Sequence, residues 1–164
     1  MSTTGYSRLQ IGLHWVLAIL IVVQFILHEG ILGLIDMAER GDVPSVFALI
    51  WGWSHVAIGF LIFALAAFRL IVRIQQKVPP PPENENKYLQ QISHLTHWAL
   101  YAVLLIMPIS GSVAWFGGVE QAALGHNVGK VILLVFAFLH IGGAVYQHFI
   151  LKTDIVQRMI KAED

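Results

Sequence analysis

Residues 120–152 read EQAALGHNVGKVILLVFAFLHIGGAVYQHFILK. Between Lys130 and Lys152 lie 21 residues without Asp, Glu, Lys or Arg, and His126 and His140 stand 14 residues apart. A helix that crosses a ~30 Å hydrocarbon layer needs about 20 mostly apolar residues. With no water in that layer, the backbone must satisfy its own hydrogen bonds, which a helix does within one segment. The stretch therefore predicts a membrane-spanning helix. Fourteen residues at ~100° each return to within about 40° of the starting direction and rise ~21 Å. One helix thus presents two imidazoles on one face, near opposite sides of a membrane.

The same absence of charge recurs along the chain. Arg8 and Glu29 enclose 20 uncharged residues, Asp42 and Arg69 enclose 26, and Lys87 and Glu120 enclose 32. The 164 residues are 57% hydrophobic and 12% charged, about half the charged fraction of a soluble domain. Mean hydropathy is +0.70. The spans read as 9–28, 45–73, 90–116 and 124–151, within one domain over 1–164. The first window lacks a small-residue cleavage site after it and carries His14, so it reads as a span rather than a signal peptide. Short connections predict an all-α, integral-membrane, up-down-up-down four-helix bundle.

Basic residues orient such a bundle. One side holds Arg8, Arg69, Arg73, Lys77, Lys87, Lys152, Arg158 and Lys161, and the other Arg40 and Lys130. Both termini are therefore expected in the cytoplasm. The outer side is acidic, with Glu29, Asp36, Glu39, Asp42 and Glu120. The connection 29–44 holds Gly30, Gly33, Gly41 and Pro44; Pro79 to Pro82 form a stiff spacer before the polar run Glu83 to Asn86. Pro108 and Gly111 predict a kink in the third span, and residues 153–164 an interfacial helix extension. Ten basic and ten acidic residues leave no excess positive charge to bind nucleic acid. The absence of cysteine excludes disulfides, thiolate zinc sites, thiol catalysis and cysteine-held iron–sulfur clusters.

Eight histidines remain: 14, 28, 55, 94, 97, 126, 140 and 148. Ionisable groups in a span are costly and mark function by default. Two imidazoles held four turns apart suit two haem irons, one per leaflet, whereas zinc draws its ligands to one point. Matching the depths of the spans pairs His14 with His140 toward the cytoplasm and His55 with His126 toward the outside. His28, also 14 residues from His14, reads as interfacial beside Glu29. His94 and His97 open the third span one turn apart; they are alternatives to His14, or contacts for propionates or a quinone. His148 could donate to a quinone carbonyl. Gly12, Gly59, Gly129, Gly142 and Gly143 lie within four residues of a proposed ligand and would leave room for a porphyrin. Arg8, Arg73 and Lys152 could neutralise haem propionates, although setting the topology is sufficient reason for them. Trp15, Trp51, Trp53, Trp98 and Trp115 read as an interfacial belt.

These residues carry a resemblance. Tyr6-Ser7-Arg8-Leu9-Gln10-Ile11 followed by His14-Trp15, then Ser54-His55-Val56, His94-Leu95-Thr96-His97, the pair His126 and His140, and a tail with His148, Lys152 and Asp154 resemble the bacterial cytochrome b561 family over almost the whole chain. The resemblance implies a bacterial inner-membrane protein in which four helices hold two haem b groups, ligated by His14 and His140 and by His55 and His126. It implies electron transfer to or from a quinone such as ubiquinone, with Gln147 and His148 at the quinone end. The donor would be superoxide, as in some members, or a redox protein. A short third connection and an acidic outer face depart from the superoxide-oxidising pattern, because a funnel for an anion should be basic. The alternatives are a haem-bearing anchor subunit of a larger redox enzyme and, more remotely, a haem-free transporter using histidines.

Overall fold

A computed structural model describes residues 5–76, 78–82 and 86–162. Lys77 and Glu83 to Glu85, used above for topology and for the polar run, lie outside the described residues. Four long helices follow one another: α1 (Arg8–Arg40), α2 (Val46–Gln76), α3 (Lys87–Gly117) and α4 (Glu120–Phe149), then a short α5 (Ile155–Arg158). Each of the four is long and apolar enough to cross a membrane, and no strand occurs among the described residues. At 30 to 33 residues they run to roughly 45–50 Å, longer than the hydrocarbon layer, so they tilt or extend into the interface.

Local chemistry sets the ends. Ser7 caps α1 in a reciprocal box with Gln10: the Gln10 N–H donates to Ser7 Oγ at 3.3 Å, and the Ser7 N–H to Gln10 Oε1 at 3.1 Å. Asn86 Oδ1 accepts from the Tyr88 N–H at 2.9 Å and opens α3. Gly41 (φ 72°) and Gly118 (φ 64°) close α1 and α3 in the left-handed conformation that only glycine adopts without strain.

Residues 29–40, expected as a connection, are helical. The segment ILGLIDMAER is dominated by good helix formers, and its glycines serve packing instead of turning. A Cβ at Gly30 would fall inside the Trp51 indole, and one at Gly52 would meet the Leu34 side chain and, at 3.0 Å, the Gly30 carbonyl. The halves of α1 and α2 away from the termini thus interlock where side chains are missing. The tail is also shorter in helix than expected, being confined to α5.

The packing is uneven. Helix α1 packs on α2, α2 on α3 and α3 on α4, but no Cα of α4 comes within 8 Å of one in α1 or α2 among the described residues. The apolar core centres on Leu17, Ile62 and Ala66, with Leu20, Ile58 and Leu104 against it. Ile62 lies midway between His55 and Arg69, and buried Leu133 midway between His126 and His140. An apolar layer therefore separates two polar levels. Apolar side chains such as Ile19, Val22, Phe138 and Ile141 are exposed on the outer faces, as a lipid-facing surface requires.

The chain's ends gather at one end of the bundle. Ser7 Oγ donates to Gln76 Oε1 at 2.8 Å, Trp15 Nε1 donates to the Met159 carbonyl at 2.8 Å, and Arg158 donates to the Pro80 carbonyl at 2.9 Å. That end carries Arg8, Arg69, Arg73, Lys87, Lys152, Arg158 and Lys161; the other carries Lys130 and Arg40, the latter paired with Asp36 and Asp42.

Candidate functional site

At the end of the bundle away from the termini, His28, His55 and His126 converge. His55 and His126 have ring centres 6.4 Å apart, and His28 and His55 5.9 Å. At the termini end, His140 faces His14 at 5.8 Å and His97 at 4.9 Å. With metal–imidazole bonds of roughly 2 Å and about 1 Å from nitrogen to ring centre, two imidazoles on one metal have ring centres about 6 Å apart. The separation fits His14–His140 and His55–His126, is short for His97–His140, and does not exclude His28–His55.

Helix packing separates these pairs. His28–His55 spans α1 and α2, and His97–His140 spans α3 and α4, both closely packed. His14–His140 spans α1 and α4, and His55–His126 spans α2 and α4, whose backbones stay apart. A flat group the size of a porphyrin needs such a gap. No group of three or more His, Cys, Asp or Glu among the described residues is arranged to hold a bare metal ion.

The level away from the termini holds a cavity of about 540 Å³, lined by residues including Gln24, His28, His55, Gly111, His126 and Lys130. This volume lies in the range of organic-cofactor sites. His126 is oriented from behind: its Nδ1 donates to the Met107 carbonyl at 2.9 Å, which leaves Nε2 as the lone-pair nitrogen. The Met107 carbonyl precedes Pro108, and the Ser110 and Ser112 hydroxyls donate to the Met107 and Pro108 carbonyls at 2.9 and 2.7 Å. A Cβ at Gly111 would lie 3.0 Å from two atoms of the His126 ring. Gly111 therefore seats this imidazole, a role beyond the kink expected of it. Gly111→Val is expected to displace the His126 ring and weaken pigment retention at this level, while the helix content by circular dichroism stays unchanged. Unaltered pigment would contradict it.

The remaining histidines have other partners. His28 Nε2 accepts from Lys130 Nζ at 3.0 Å, so it lines the cavity; the interfacial reading missed that contact. His94 Nε2 accepts from Trp98 Nε1 at 3.0 Å and lies on an exposed face. His97 Nδ1 donates to the Ser93 carbonyl at 2.6 Å. His148 packs against Phe149, ring centres 4.7 Å apart. The buried residue beside it is Gln147, whose Oε1 accepts from Thr153 Oγ1 at 3.0 Å. Of the five glycines expected to make room, Gly12, Gly142 and Gly143 face open space, Gly129 meets Met107 and Gly59 meets Gln24.

Sequence reasoning also passed over Arg69. Its guanidinium and that of Arg73 each lie 5.8 Å from the Tyr101 ring centre, within cation–π range. Neither makes an ion pair among the described residues. The signal was available, since Arg69 follows His55 by 14 residues, the spacing of His126 and His140.

Facing imidazoles on unpacked helices of a four-span bundle are the arrangement that a membrane cytochrome, a protein of electron transfer, would need. The family model described as prokaryotic cytochrome b561 matches residues 5–162, and the chain belongs to that family. It is 28% identical to a cytochrome b562 of Cereibacter sphaeroides over 96% of both chains. It is 23% identical to a probable superoxide oxidase, CybB, of Yersinia pestis over 94% of this chain and 95% of that one. Identity to a cytochrome b561 homolog of Escherichia coli is 25%, over 94% and 96%. The family implies haem b and a bacterial multi-pass membrane protein.

Proposed function

We propose that the chain is a two-haem electron conduit of the inner membrane, with both termini cytoplasmic, exchanging electrons with a quinone. His14 and His140 would hold the haem at the cytoplasmic level, and His55 and His126 the outer one. The observation that carries the reading is that these two pairs face each other across helices that do not pack. Held there by two imidazoles, a haem would supply outer-sphere one-electron transfer and offer no site to oxygen.

The chain's own residues do the rest. His126 is held by the Met107 carbonyl. Arg69 and Arg73 offer two positive charges without carboxylate partners among the described residues, suited to the propionates of the cytoplasmic haem; Arg8 and Lys152 are exposed and less suited. Leu17, Ile62 and Leu133 keep water out of the layer between the two levels. At the outer end the acidic groups outnumber the free cations, which repels superoxide and favours a neutral or cationic donor. The name of the relative from Yersinia pestis keeps superoxide as the second reading.

Haem-loaded protein in detergent, mixed anaerobically with ubiquinol, is expected to show reduced-haem absorption bands. An unchanged oxidised spectrum at haem potentials accessible to ubiquinol would overturn the quinone part of the reading. Reduction by superoxide at a rate insensitive to ionic strength would count against the electrostatic argument on the donor.

A further inference from the structure

Among the described residues, two buried side-chain polar atoms lack a hydrogen-bond partner: Gln24 Oε1 and His55 Nδ1. They belong to side chains already in contact. Gln24 Nε2 donates to the His55 backbone carbonyl at 2.8 Å. A Cβ at Gly59, one turn beyond His55, would lie 3.3 Å from that same Nε2, so the missing side chain leaves the carboxamide its place over α2. Both residues line the outer cavity.

One orphan is an acceptor and the other becomes a donor. A neutral imidazole carries one N–H; once iron takes Nε2, the proton is on Nδ1. Metal-binding histidines almost always donate that second N–H to a carbonyl or carboxylate, which fixes the ring and raises its basicity. His126 has such a partner in Met107, and His55 has none. An unpaired buried polar group is destabilising, and in lipid the alternative of water is absent. One bond from His55 Nδ1–H to Gln24 Oε1 would satisfy both atoms, with the carboxamide already anchored by its nitrogen.

We infer that Gln24 is the positioning residue for the His55 imidazole in the haem-loaded protein, accepting its Nδ1–H and lowering the reduction potential of the outer haem. This rests on the two-haem reading above. A more basic imidazole stabilises the ferric state, so the acceptor's strength sets the sign of the change.

The test is a redox titration of the purified full chain, followed by optical spectra, with haem counted per chain. The outer wave is the one absent from His126→Ala. Gln24→Leu is expected to raise the potential of that wave alone, and Gln24→Glu to lower it relative to Gln24→Leu. Two haems with unmoved potentials in both variants would overturn the inference and leave the two-haem reading standing. Equal shifts of one sign in both variants would also overturn it, because a merely structural role does not distinguish amide, carboxylate and alkyl group. If Gln24→Leu sheds the outer haem, retention with a lowered potential in Gln24→Glu supports the inference, and loss in both overturns it. A wild-type chain without pigment would remove the reading itself and this inference with it.

Discussion

His126→Ala is expected to halve the haem bound per chain, with the remaining haem keeping its spectrum and potential. The ring of His126 faces His55 across the gap between α4 and α2, lies over Gly111 and is fixed by the Met107 carbonyl. Alanine removes a ligand and its orientation together. Nothing else at that level replaces it: His28 is taken by Lys130 and lies on α1, packed against α2. The His14–His140 level, where the other haem is proposed, is ~21 Å away along α4, the rise of 14 residues, beyond the apolar layer of Leu17, Ile62 and Leu133. Sites so separated contribute independently. Full retention of both haems in His126→Ala would refute its role; loss of both would refute the independence of the two levels.

The second large effect concerns the level at the termini end, where His14, His97 and His140 come together around one proposed iron site. His14→Ala is expected to lose one haem, and His97→Ala to keep both. The ring centres of His97 and His140 are closer, at 4.9 Å against 5.8 Å for His14 and His140. Proximity is the weaker criterion, because α3 packs directly on α4 while α1 does not. A porphyrin between His97 and His140 would have to force apart a pair of packed helices; between His14 and His140 it enters an existing gap. The reverse pattern, haem lost with His97→Ala and kept with His14→Ala, would reassign the cytoplasmic ligand to α3. Haem counts on the two purified variants decide it.

The four spans were legible because lipid excludes charge, so that uncharged windows announce them without any contact information. Their lengths were not. Gly30 and Gly33 read as turn residues, yet the helix continues to Arg40, because Trp51 of another helix fills the space above Gly30. That packing is a tertiary fact; the only local signature was the run of good helix formers after Gly30. The histidine levels were legible from spacing and span direction, which fix depth. Partner choice within a level was less so, since His28 and His97 share the depth of the others and only the packing of whole helices distinguishes them. Gln24 escaped notice because a neutral amide does not interrupt a charge-free window. Arg69 escaped because its position at the edge of such a window read as topology alone.

The central claim is that two haem groups lie at two depths of one bundle, between imidazoles on α1, α2 and α4. The direct measurement is the reduced-minus-oxidised absorption spectrum of the intact purified chain, with haem quantified against protein. Two b-type haems per chain, both low-spin and unreactive toward carbon monoxide, is the expected result. A colourless chain that takes up no added hemin would contradict it.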